Sequence, residues 1–376
     1  MVGLVWNEGV VVPIDASVPG APGATLPCRS AARPALIDHQ RHEELRARAS
    51  RLRAPFFIVS SGRAGSTLLS VLLNKHPDVF VPPESGFVAR GFPVFHAHRA
   101  FSKEDIDLAV RLFRCSTQDR GWGLSDEELL GFLTNYRPRD FADLNRAFVL
   151  ALMEKKKLFC SAWGIKRPVL IGSIPRILSV FPEARIIHIY RDGRDVYCSY
   201  REVHAGGYAW GPNGIISSAL YWADGLRRVS SIKDDRVIEV SYEHLITCPQ
   251  KVLRNVCKHI GVSYIAEMSV DDASGPRKAI VLDVHQKTIH KKLGSGIDHT
   301  NLRKYVTQMS PLQIFLFELL ASDQLEVHGY PTCYNIVRSR AWTPLRALVF
   351  TAARLLNNRR YIDKDRQALT CAQRFR

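Results

Sequence analysis

The chain reads as an α/β protein, a P-loop-type parallel β-sheet flanked by helices with a helical insertion after the first strands. Three observations predict it. Short apolar runs at PFFIVSS (55–61), LFCSAWGI (158–165), RIIHIY (185–190) and RVIEVSY (236–242) alternate with helical patterns, as parallel strands covered on both faces do. The first run passes through Gly62-Arg63-Ala64-Gly65 directly into a helical pattern that ends at His76-Pro77, the arrangement of an anion-binding turn at a helix N-terminus. Helical patterns at 102–115, 125–135 and 140–156 then interrupt the strand series, so an insertion is expected over about 101–157.

In chain order, residues 1–50 are expected to form an extended arm, because VPGAPGATLPCRSAARPAL is rich in Pro, Ala and Gly and carries no helical or strand period. The domain proper should span 51–335. Its first strand and helix are followed by a short strand at VFV (79–81), and Ser125-x-x-Glu128 marks the second insertion helix with a capping box. Beyond the insertion, helices at 173–181, 193–203 and 215–232 separate the remaining strands. The polar, Gly-containing, basic stretch 270–300 reads as a covering loop, and 311–328 returns to a helix.

A length of 376 residues is ample for one large domain with tails. The informative deviation in composition is charge, +16 with a pI near 9.6. Ten Lys/Arg against two Asp/Glu in 336–376 put +8 of it in the last 41 residues. Such a balance favours anionic partners without choosing among them. Eight cysteines lie scattered with no C-x-x-C pair, which argues against zinc and against a disulfide framework, and fits reduced thiols in the cytoplasm. The opening MVGLVWNEGVVVPID lacks the basic region of a signal peptide, and no run reaches the roughly 18 apolar residues of a spanning helix.

The turn after the first strand lacks one residue. A triphosphate-binding loop places Lys between its last Gly and the Ser/Thr, whereas Gly65 is followed at once by Ser66 and Thr67. Without that Lys the main charge for β- and γ-phosphates is gone, and Arg63 offers a planar donor fork suited to an oxyanion instead. Taken alone the stretch is equally an ordinary strand–turn–helix connection. A second strand–turn–helix, PEARIIHIYRDGRDVYCSYREV (182–203), closes its strand with Arg191 and carries Ser199 two turns into the helix, where both could reach one small anion. Two such loops suit a nucleotide with phosphates at both ends.

These residues resemble a known family. "FIVSSGRAGSTLL" is similar to the 5′-phosphosulfate loop, and "RIIHIYRDGRDVYCSY" to the 3′-phosphate loop, of sulfotransferases that use 3′-phosphoadenosine 5′-phosphosulfate (PAPS). "AWGIKRP" (162–168) resembles the W-G-D-K-T-P element of bacterial members, and "VSYEHL" (240–245) an element whose Tyr, here Tyr242, lies near the donor. The match runs from about Phe56 to Gly261. It implies PAPS as co-substrate without a metal, Arg63, Ala64, Gly65, Ser66 and Thr67 around the phosphosulfate, and Arg191 and Ser199 on the 3′-phosphate.

Sulfonyl transfer needs a base and cations for the moving charge. Glu84 in "VPPES" returns to the carboxyl edge of the sheet 21 positions after Arg63, and protein-tyrosine sulfotransferases, which this region resembles, have Glu at the matching place. Glu84 is therefore the expected base, its alternative being an ordinary surface carboxylate. The resemblance gives Lys166 the bridging oxygen or sulfonate. The chain departs from the family element at Ile165 for Asp and Arg167 for Thr, and an extra cation there would suit an acidic acceptor. Ser295 or Arg303 is a candidate to complete the donor pocket, and GGYAWGPNG (206–214) an acceptor lip or merely a turn-rich loop.

The leading expectation is thus a PAPS-dependent sulfotransferase acting on a hydroxyl-bearing acceptor (glycan, lipid, small molecule or peptide tyrosine). A P-loop kinase-like phosphotransferase would need the missing Lys. A basic nucleic-acid-binding protein would interleave aromatics with its basic stripe, so no nucleic acid is expected. The tail 336–376 places Leu345, Leu348, Val349, Ala352, Leu355 and Leu356 on one helical face. It either docks on the domain or lies peripherally on anionic membrane; the sequence leaves that choice, the oligomeric state and the acceptor open.

Overall fold

The computed structural model describes residues 39–117, 122–207, 211–269, 301–334 and 351. Its frame is a parallel sheet of β1 (Phe56–Val59), β2 (Val79–Phe80), β3 (Ala162–Lys166), β4 (Arg185–Tyr190) and β5 (Val237–Ser241), in the spatial order β2-β3-β1-β4-β5. β1 lies at the centre, with Ile58 opposite both Lys166 and Ile187. The chain leaves β1 toward β3 and β2 but leaves β4 toward β5, so the order reverses between β1 and β4. At such a switch point the loops beyond the strands' carboxyl ends diverge and leave a crevice.

Strand alternation divides the core. Phe57, Val59, Trp163 and Ile165 face one side, where α4 (Lys103–Thr117), α5 (Asp126–Tyr136) and α6 (Phe141–Lys155) supply a layer that includes the stacked Phe113–Phe148 rings, 4.0 Å between centroids. Phe56, Ile58, Ile187 and Ile189 face the other side, against α2 (Ser66–Leu73) and α11 (Pro249–Ile260). A third cluster joins α8 (Gly193–Ala205), α9 (Ile215–Ser230) and α13 (Pro311–Val327). The expected capping box is present: Ser125 accepts from the Glu128 amide while the Glu128 carboxylate accepts from that of Ser125. Among the described residues no helix is long and apolar enough to cross a membrane.

The structure corrects the expected arm at its end, because residues 39–50 form a helix, α1 (His39–Ser50), rather than extended chain. Only Leu45 and Ala49 of this helix are buried, too sparse a period to read, and polar contacts to the insertion hold it: Arg46 pairs with Asp143 at 2.6 Å, and Arg41 and Arg48 with Glu154. The helical block also begins earlier than expected, with α3 (Phe87–Phe95), which Gly91 and Pro93 disguise in the sequence. α7 (Ile174–Val180) falls as expected, whereas α10 (Tyr242–Thr247), α11 and the short α12 (Tyr305–Gln308) are additions. The 270–300 loop and the 336–376 helix lie outside the described residues, apart from Thr351.

α13 is tied to α8 by charge. Arg194 and Glu318 are fully buried and pair at 2.7 Å, Asp192 holds the other side of the guanidinium at 2.7 Å, and Glu318 also accepts from the amides of Cys333 and Tyr334. Removing one member of a buried pair strands the other. Glu318→Ala should therefore lower unfolding stability by about 3–5 kcal/mol in denaturant titrations, whereas a surface change such as Glu267→Ala should stay within about 0.5 kcal/mol.

Candidate functional site

The loop between β1 and α2 is built from left-handed backbone. Gly62, Arg63 and Gly65 have φ of 80°, 51° and 90°, a curl of the kind that gathers backbone N–H groups into an anion-binding concavity. Two tyrosines press on it. A Cβ on Gly62 would lie 2.0 Å from the Tyr200 hydroxyl, and one on Gly65 would lie 2.3 Å from the Tyr242 ring, so only glycine fits at either place. Arg63 adopts the same left-handed backbone with a side chain attached, a conformation that costs about 1–3 kcal/mol and concentrates at functional sites. Gly65 caps α2 with no side chain of its own to meet the helix's first amides.

Lys166 and Glu84 meet at the mouth of this loop. Lys166 ends β3, beside β1, and is only 4% exposed. Its Nζ lies 2.7 Å from Glu84 Oε1 and donates to Thr67 Oγ1 at 3.2 Å, linking the carboxylate to the phosphate loop. Arg167 Nη1 takes the other carboxylate oxygen, Oε2, at 3.1 Å. From the insertion, the Trp122 indole donates to the Glu84 carbonyl at 3.4 Å. Burial raises the Glu84 pKa, but the charges of Lys166 and Arg167 and their hydrogen bonds outweigh it, holding the carboxyl below its ordinary range.

The second loop meets the first across the crevice. Arg63 Nε donates to Ser199 Oγ at 3.0 Å, so Ser199 sits with the first loop's arginine as well as on the second loop's helix. Burial, with the Arg191 charge nearby, lowers the Arg63 pKa. Arg191 lies over the Tyr242 ring at 4.6 Å, pairs with Asp195 at 3.2 Å and donates to the Asn301 carbonyl. Its Nε is nonetheless buried without a hydrogen-bond partner, an orphan donor that an anion oxygen would satisfy. The N-terminus of α8 differs from that of α2, because Asp192 caps it by accepting from the Arg194 amide.

All the expected residues, Arg63, Ala64, Gly65, Ser66, Thr67, Glu84, Lys166, Arg191, Ser199 and Tyr242, thus lie on or beside the two loops of one crevice. Sequence reasoning missed Asp195, Asn301 and Tyr200. Asp195 had a signal, since it follows Arg191 by one helical turn; it accepts from the Arg303 amide at 2.8 Å and the Tyr305 amide at 3.0 Å. Asn301, whose Nδ2 donates to the Tyr242 hydroxyl at 3.0 Å, had none, being 59 positions away. Arg303 contributes its left-handed backbone, φ 55°, and amide to this corner. Ser295 lies outside the described residues, as does part of the 206–214 stretch.

A family model described as "Sulfotransferase family" matches residues 55–266, more than half of the chain. The sulfotransferase domain from the curacin biosynthetic pathway superposes with a TM-score of 0.50 at 18% identity, covering 75% of this chain and 99% of that one. The sulfotransferase domain of the Synechococcus PCC 7002 olefin synthase gives 0.47 at 22% identity, covering 74% and 96%. Among curated proteins none matches the sequence significantly.

The depressed Glu84 pKa makes a stability prediction independent of any ligand. Its contribution is fully present above the ordinary carboxylate value of 4.5 and is lost as pH falls through the lower folded value. Denaturant titrations across pH should show the gap between wild type and Glu84→Gln at its full size near neutrality and closing below that value. A gap unchanged by acid would remove the ion pairs as its cause.

Proposed function

The chain belongs to the sulfotransferase family, and on that premise we propose that it moves a sulfonate from PAPS to an acceptor hydroxyl with Glu84 as the general base. One observation carries the reading: Lys166 joins a carboxylate and the phosphate loop, with Glu84 on one side at 2.7 Å and Thr67 on the other at 3.2 Å. A base and a cation so linked suit a reaction that takes a proton from one partner and stabilises charge leaving with the other.

In this reading Arg63, Ala64, Gly65, Ser66 and Thr67 hold the phosphosulfate, Arg191 and Ser199 hold the 3′-phosphate, and Tyr242 lies near the donor. The orphan Arg191 Nε and the N-terminus of α2, which Gly65 caps without a side chain, fit a ligand with two separate phosphates. The acceptor oxygen bonds to sulfur as the sulfur–oxygen bond to the 5′-phosphate breaks. Glu84 receives the hydroxyl proton, Lys166 and Arg63 balance the charge on the leaving oxygen and sulfonate, and 3′,5′-bisphosphoadenosine departs. We read the setting as cytoplasmic.

Isothermal titration should show 3′,5′-bisphosphoadenosine binding in preference to ATP–magnesium, and Arg191→Ala should weaken it about tenfold to a hundredfold, the worth of charged hydrogen bonds. Preference for ATP, or indifference to Arg191, would overturn the donor assignment. With labelled donor and a screened acceptor, Glu84→Gln should keep that affinity and lose about 10²–10⁴ in kcat. Turnover equal to wild type would remove Glu84 from its role.

A further inference from the structure

Each oxygen of the Glu84 carboxylate is engaged, and the two engagements differ. Oε1 belongs to Lys166, which is buried and anchored to Thr67. Oε2 belongs to Arg167, whose side chain remains 34% exposed. A base must present one oxygen to the hydroxyl it deprotonates. Releasing Oε1 would leave the buried Lys166 ammonium without its carboxylate, whereas Oε2 is held by the more exposed Arg167, so Oε2 is the oxygen that turns to the acceptor at least cost and Arg167 is the group that gives way.

Arg167 has further unmet capacity. Its Nε is buried without a hydrogen-bond partner, next to the backbone at Gly86. Its backbone is fixed, since its amide donates to the Ile58 carbonyl at 3.1 Å and Pro168 follows, so the fork can turn but cannot leave. Tyr221 of α9 borders the same space: burial raises its phenol pKa and the Arg167 charge pulls it back. A guanidinium that gives up a carboxylate at a partly buried site needs another anion in exchange.

We infer that the acceptor carries a carboxylate or phosphate beside its reactive hydroxyl, and that Arg167 exchanges Glu84 for this group as the acceptor binds. Arg167 thereby couples acceptor recognition to release of the base. The inference rests on the sulfonate-transfer reading and names the class of molecule that site takes. An uncharged alcohol leaves the Arg167–Glu84 pair closed, whereas an anionic one opens it and fills the planar fork.

Two matched pairs of probes test this and separate the two anions: 4-hydroxyphenylacetate against 4-hydroxyphenylacetamide, and glycerol 3-phosphate against glycerol. Wild type should favour the anionic member by about tenfold or more in kcat/KM in at least one pair, as a charged contact is worth. Arg167→Gln should reduce that preference to about threefold or less, bind 3′,5′-bisphosphoadenosine as wild type does, and shift the acidic limb of the pH–rate profile upward, because one of the cations lowering Glu84 is gone. Arg167→Lys, a point charge in place of the fork, should retain part of the preference and serves if Arg167→Gln fails to fold. The inference is overturned if wild type binds the bisphosphate yet favours neither anion, or transfers to none of the four probes, or if the glutamine variant (the lysine variant, should that one not fold) keeps the full preference. Failure of wild type to bind the bisphosphate would instead overturn the donor reading on which it rests.

Discussion

The ammonium of Lys166 is the point on which the site depends. It needs β3 to end beside β1, so that the side chain reaches Thr67, and the VPPES segment to return over the same edge, so that Glu84 reaches it. Parallel pairing of β2 with β3 meets the second requirement, since Val79 opposite Ala162 and Phe80 opposite Trp163 set the height at which the chain leaves β2. A one-residue slip of β3 would send Lys166 to the opposite face. The apolar layers on both sides of the sheet forbid that slip, because Trp163 and Ile165 would exchange faces with Ala162 and Gly164. Gly164 reinforces the register: any Cβ there would strike the Phe56 ring at 2.3 Å.

Charge in the crevice is arranged in excess of its internal partners. Glu84 faces two cations, and Arg63 is buried close enough to Arg191 for the two to repel. Concentrated positive charge of this kind costs stability in the free protein and is relieved by anions, which is the usual trade at a binding site. The neighbouring Arg194 shows the contrasting case. Although it belongs to the same RDGRD turn as Arg191, its guanidinium is spent on Asp192 and Glu318, leaving nothing for a ligand. Two arginines three residues apart thus divide into one that shapes the turn and one with an unmet donor inside it.

Much of this was legible in the sequence because it rests on local rules. All five strands, the phosphate-type turn and the capped insertion helix carry their signals within a dozen residues, and β4 falls at 185–190 as its apolar run implies. Glu84 and Lys166 were legible as separate chemical candidates, though their contact, across 82 positions, was not. What escaped depends on long-range partners: α1 is a polar helix made stable by Asp143 and Glu154, and Asn301 matters because of where Tyr242 stands. Within the RDGRD turn Asp192 caps α8 by accepting from the Arg194 amide, a local signal of the same kind as Ser125.

The two loops also act as one piece. Tyr242, at the start of α10, touches Gly65 on the first loop and underlies Arg191 on the second, while Arg63 reaches across to Ser199. β1 and β4 are adjacent, so their ends are fixed about 4.8 Å apart and the loops diverge from there. Because the contacts between them cross this gap in both directions, moving one loop means moving the other. A ligand that engages a single loop gains only that loop's donors, whereas one that spans both meets donors already held at a set separation and loses less entropy in doing so. Under the sulfonate-transfer reading proposed above, that spacing suits a donor with anionic groups at both ends.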